Sequence, residues 1–121
     1  MLKLVYCLRR KPDMSVEEFR RYWREVHAPL VAERAELLGI KRYVQVHTTF
    51  PDLIPVFQAR NGGSPEPYDG VAEIWFETLE ALSSEDPAVQ QAAADLLADE
   101  RNFIDLAQSP LWIAQENVVI A

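Results

Sequence analysis

The chain has 121 residues, 49% of them hydrophobic and 26% charged, the size and make-up of one folded domain over 1–121 and not of a disordered segment. Its net charge of −7, from 19 acidic against 12 basic side chains, repels phosphate backbones and anionic lipid, so neither nucleic acid nor a membrane surface is expected as a partner. Cys7 is the only cysteine, which excludes an internal disulfide and a thiolate metal cluster and suits a reducing compartment.

Residues 2–9 alternate Leu2, Leu4, Tyr6, Leu8 with Lys3, Val5, Cys7, Arg9, which predicts a first strand ended by Pro12 and Asp13. The short basic cluster Arg9, Arg10, Lys11 reads as a solvated strand end. Ser15 followed by Glu18 is a capping box. Val16, Phe19, Trp23, Val26 and Leu30 then mark the apolar stripe of a helix, with a kink expected beside His27 because Pro29 cannot donate to Glu25. Gly39 ends this helical region, and residues 40–48 read as a second strand with Tyr43, Gln45 and His47 on one face.

Residues 50–69 hold four of the eight prolines and the pair Gly62 and Gly63, which predicts a long loop whose apolar first half packs onto either the partner subunit or its own pocket. A third strand is expected over 71–77, with Glu73 and Trp75 on one face and Ala72, Ile74 and Phe76 on the other. Asp86 and Pro87 start the second main helix, whose apolar side runs from Val89 through Leu96 to Phe103 and Ile104. Pro110 stops it, and residues 112–120 read as the last strand. Residues 1–6 show no secretory pattern and no run reaches the roughly 18 apolar residues of a membrane span, so a cytoplasmic protein is expected.

The order β-α-β-β-α-β predicts an α+β, ferredoxin-like fold with a four-stranded antiparallel sheet. Two helices cover one face of such a sheet. The first and third strands are apolar on both faces, whereas a half-solvated sheet alternates cleanly, so the bare face is expected to be buried against a second copy in a homodimer.

The run from Met14 to Leu30 carries a capped helix with Phe19, Tyr22 and Trp23, and then, after three residues, His27, Pro29 and Leu30. It resembles the signature of the EthD family, and residues 42–47 and 68–76 resemble the family's second and third strands. The resemblance implies a dimeric α+β barrel with two sheets face to face and the helices outside. EthD domains are often catalogued with oxidoreductases, and similar small barrels include cofactor-free monooxygenases, polyketide cyclases and dehydratases, isomerases and haem-degrading enzymes. Fold does not choose among these. Their shared feature is a pocket between helices and sheet for a small, flat, mostly apolar molecule.

Three residues are candidates for acid-base chemistry. His27 lies one turn beyond Trp23 at the margin of the stripe and matches the family's histidine, or else caps carbonyls freed by Pro29. His47 titrates near neutrality without tuning and is either its partner or a histidine at a strand end. Glu73 is a base with a raised pKa or a carboxylate paired on a strand edge. Tyr22, Tyr43 and Trp75 are candidates to line a substrate pocket, and Cys7 reads as a small buried hydrophobe. No carboxylate is spaced to complete a two-histidine metal site, and no phosphate-cradling glycine motif or flavin fingerprint is present, so no metal or nucleotide cofactor is expected. The leading expectation is a cofactor-independent isomerase, dehydratase or monooxygenase acting on a small cyclic or aromatic metabolite. Its rivals are an accessory protein that binds a hydrophobic small molecule in a degradation pathway, and a haem protein with an axial histidine.

Overall fold

A computed structural model describes residues 1–121. Strands β1 (Leu2–Leu8), β2 (Ile40–His47), β3 (Gly70–Phe76) and β4 (Leu111–Ala114) form one antiparallel sheet in the order β2-β3-β1-β4. That is the ferredoxin-like arrangement expected from the element order. Helices α1 (Val16–Tyr22), α2 (Ala28–Leu38) and α4 (Pro87–Glu100) lie on one face of the sheet, and α3 (Ile54–Arg60) sits in the connection from β2 to β3.

Ser15 caps α1 through the Glu18 amide at 3.1 Å. Phe19 and Trp23 are fully buried below it against Tyr6, Leu8, Ala72 and Phe103. Each such side chain contributes about 1.5–3 kcal/mol relative to leaving it in water. Trp23 lies so close to the sheet that a Cβ on Gly70 would sit 2.4 Å from its ring carbon Cζ3, so only glycine fits there.

The irregularity beside His27 is a π-turn and not a break at Pro29. A π-turn spans Trp23–His27, with the Ala28 amide donating to the Trp23 carbonyl, and Pro29 falls in the first turn of α2 where a missing amide costs little. A π-turn holds one extra residue, which shifts every later position by about 100° around the axis. Val26, expected in the core, is therefore 43% exposed while His27 is 6% exposed, and Val31 replaces Leu30 as the next buried position. Gly39 closes α2 in the left-handed conformation at φ 73°.

Three other expectations are corrected. The segment 50–69 is not a simple loop: Pro51 opens a 3₁₀ turn and Pro55 lies in the first turn of α3, positions where proline starts a helix and does not break one. Its Phe50, Leu53, Val56 and Phe57 side chains are exposed in the single chain. The last strand stops at Ala114 and not at residue 120, because Ala114 pairs with Lys3 and β1 begins one residue earlier, leaving later residues no partner. The second main helix ends at Glu100, and Phe103 and Ile104 reach the core from the turn that follows it.

Candidate active site between helices and sheet

The π-turn delivers His27 into the space between helix and sheet, where a cavity of about 60 Å³ is lined among others by His27, Tyr6, Tyr43, Leu96 and Glu100. The Nδ1 atom of His27 lies 2.7 Å from Asp99 Oδ2, at the end of α4. The other oxygen of Asp99 accepts from the Tyr22 hydroxyl at 2.5 Å, and the Asn102 amide donates to that hydroxyl at 3.1 Å and to Asp99 Oδ1 at 3.3 Å. Phe103 closes one side of the imidazole, with ring centroids 5.0 Å apart.

Burial pushes the His27 pKa below that of free imidazole, and the Asp99 carboxylate opposes this only in part. Burial alone would raise the Asp99 pKa, but hydrogen bonds from Tyr22, His27 and Asn102 bring it below the ordinary carboxylate value. The pair at neutral pH is thus a neutral imidazole donating Nδ1–H to an ionised carboxylate. That tautomer leaves the Nε2 lone pair free, and Nε2 has no partner in the chain. On another wall of the same cavity, burial raises the pKa of Glu100, and the Tyr6 hydroxyl that faces it lowers it only in part. The Tyr6 hydroxyl is itself pushed well above the ordinary range, first by burial and then by the Glu100 charge.

His27 and Tyr43 line the cavity together, whereas Tyr22, expected to line a pocket, does not line it and joins His27 only through Asp99. His47 is not with them. Its ring stacks on Trp23 at 4.4 Å and its Nε2 is 2.9 Å from Gln45 Oε1. Gln45 in turn donates to the Trp23 carbonyl at 2.9 Å, at the start of the π-turn. Tyr43, Gln45 and His47 therefore form a polar strip that fastens β2 to that turn, and the second nitrogen of His27 is oriented by Asp99, neither by His47 nor by Glu73. Glu73 and Trp75 lie on the opposite, helix-free face of the sheet. Glu73 pairs with Lys3 at 3.0 Å, while Trp75 carries Lys3 and Arg42 over its ring and donates to Glu116 at 2.7 Å. Cys7 is buried on that face, as its reading as a small hydrophobe implies.

Sequence reasoning missed Asp99, Glu100, Tyr6 and Asn102. A signal existed: along Val89, Ala92, Leu96 and Phe103 the three- and four-residue steps pass through 99 and 100, so two carboxylates occupy positions the apolar period reserves for the core.

Known proteins place these features in a family. The chain is 30% identical over 108 residues to the dehydratase ustZ of Ustilaginoidea virens, an alignment covering 86% of this chain and 75% of that one. It is 29% identical to the decarboxylase claH of Passalora fulva, over 86% of this chain and 68% of that protein. It is 30% identical to the conidial pigment biosynthesis dehydratase EthD of Metarhizium robertsii, over 93% and 80%. Among solved structures, an ethyl tert-butyl ether D family protein from Bacillus halodurans superposes with a TM-score of 0.60 at 18% identity, covering 97% of this chain and 99% of that one. A dimeric protein of ferredoxin-like fold from Bacteroides fragilis does so with a TM-score of 0.58 at 12% identity, covering 95% of each chain. The EthD domain model matches residues 11–107, and the chain belongs to the EthD domain family.

Proposed function

We propose that this protein is a cofactor-independent enzyme that moves protons on a small cyclic or aromatic metabolite, with dehydration the reaction its site suits best. The observation that carries this reading is the buried His27–Asp99 pair, with His27 and Glu100 lining one cavity. In a dehydration, His27 Nε2 takes the proton next to a carbonyl, the C–H electrons form the new double bond, and Glu100 protonates the departing hydroxyl as water. His27 then returns its proton to Glu100 through that water, and nothing is oxidised or reduced. Acid and base with pKa values moved in opposite directions are what such a step requires. The dehydratases among the relatives support this choice over an isomerase or a monooxygenase.

In this reading Asp99, Tyr22 and Asn102 are positioning residues, Tyr43 is a pocket wall, and His47 holds Trp23 in place. The small cavity takes one or two waters, so a ring compound enters by displacing half-buried lining residues such as Leu96 and Ile40. The assay follows the absorbance of β-hydroxy cyclic ketones as loss of water extends their conjugation. Turnover is expected with the native chain and a fall on the order of 10²–10⁴-fold with His27→Asn. Equal rates for the two proteins would overturn the assignment, and ring binding without turnover would make the protein a carrier.

The helix-free face of the sheet is proposed to pair two copies, and the Bacteroides fragilis protein of similar fold is itself dimeric. It presents Val5, Val44, Val46, Val71 and Trp112 with no helix above them, and Val46 and Trp112 are exposed. Light scattering at micromolar concentration is expected to return twice the chain mass. A monomer mass would exclude the barrel.

A further inference from the structure

The connections beyond the ends of β1 and β2 enclose a second concavity, away from the His27 cavity. A cleft of about 320 Å³ is lined by Arg9, Arg10, Arg20, Thr48, Tyr68 and Asp69 among others. It runs, through Thr48, Thr49, Ile54 and Pro67, into an apolar groove of about 290 Å³ bordered by Phe50, Leu53 and Phe57.

The charges in the cleft do not cancel. Arg10 is matched by Asp69 at 2.6 Å. Arg9 lies over the Tyr68 ring at 4.3 Å and donates only to the backbone carbonyls of Pro67 and Glu66. Arg20 donates to the Thr48 carbonyl, and its Nε is buried with no partner at all. Neither Arg9 nor Arg20 forms an ion pair, in a chain whose net charge is −7. The remaining acid on the rim, Glu66, is engaged by Gln58 at 3.1 Å. Burial, and after it the charges of Arg24 and Arg20, lower the pKa of nearby His47. The strand end read from the sequence as merely solvated is therefore a fixed cationic wall.

The groove beside it is equally unsatisfied in the apolar sense. Phe50 is 72% exposed and sits at φ 53°, in the left-handed region that bulky residues rarely enter, and Leu53 and Phe57 are exposed next to it. An aromatic held in a disfavoured conformation in order to face water is a common mark of a ligand clamp.

We propose that this cleft and groove bind an amphipathic carboxylate, its anionic head on Arg9 and Arg20 and its apolar body along Phe50, Leu53 and Phe57. The planar guanidinium fork matches a carboxylate, and the shared Thr48 and Ile54 make the polar and apolar halves one continuous site. This stands apart from the chemistry assigned to His27.

Titration calorimetry on the full chain with decanoate, decanol and decyltrimethylammonium as probes tests it. Decanoate is expected to bind about tenfold more tightly than decanol, to lose about tenfold in Arg9→Gln or Arg20→Gln, and to weaken with added salt. Phe57→Ser weakens decanoate and decanol alike, and decyltrimethylammonium does not bind. Because Phe57 and the Arg9 guanidinium are on the surface, those two variants keep the test valid if Arg20→Gln fails to fold. Equal affinity for decanoate and decanol, or binding untouched by Arg9→Gln, would overturn the proposal. So would loss of decanoate binding in His27→Asn, which would put the probe in the other cavity. No decanoate binding, with Phe57→Ser lowering the mass of the assembly, would make the groove a protein contact and end the proposal.

Discussion

At the scale of single residues, the state of His27 is decided by opposing effects of unequal size. Burial disfavours the imidazolium, and the Asp99 carboxylate favours it, with burial the larger. Asp99→Asn keeps a hydrogen-bond acceptor but removes the charge. The His27 pKa is therefore expected to fall further, read from its ring carbon resonances in an NMR titration. Losing the charged character of the bonds to Tyr22 and His27 should also cost about 1–3 kcal/mol of stability by urea unfolding. An unchanged His27 titration would show that Asp99 does not set its charge.

Among elements, the contact that decides the site is Trp23 against β3. Gly70→Ala places a Cβ 2.4 Å from the Trp23 ring, which is 1% exposed and held between Gly70 and His47. Overpacking of this kind costs about 1–3 kcal/mol, and the displaced ring should shift the tryptophan emission. A variant as stable as the native chain would show that α1 can slide outward. The same contact shows what the sequence discloses and what it hides. Strand and helix order, the Ser15 cap and the burial of Phe19 and Trp23 follow from local patterns that the tertiary fold leaves unchanged. The π-turn does not, because a stripe through Trp23, Val26 and Leu30 and one through Trp23, His27 and Val31 both satisfy a helical period. Only packing selects the second. Asp99 was hidden for a related reason: its partner His27 is 72 positions away, and no local rule links them.

At the scale of the whole molecule, stability should vary with pH through a few buried groups that work against one another. The folded-state pKa values of His27 and His47 are depressed, so their contribution is complete above the free imidazole value of about 6.5. It is lost as pH falls from there toward the folded values, because the unfolded chain then binds protons the folded one refuses. Glu100 has a raised pKa in the folded chain, so its contribution is complete below the ordinary glutamate value and is lost as pH rises through the folded one. Between pH 5 and 7 the two effects have opposite slopes, each bounded by about 1.4 kcal/mol per pH unit for each proton. Glu100→Gln removes the opposing slope and His47→Gln removes part of the histidine slope. Melting curves across this range are therefore expected to show the midpoint of Glu100→Gln falling more steeply with acid than that of the native chain. That of His47→Gln should fall less steeply. Parallel curves for all three proteins would mean that these groups titrate alike in the folded and unfolded chains. The His27 cavity would then lack the raised Glu100 pKa that lets this carboxyl serve as the acid of the proposed chemistry.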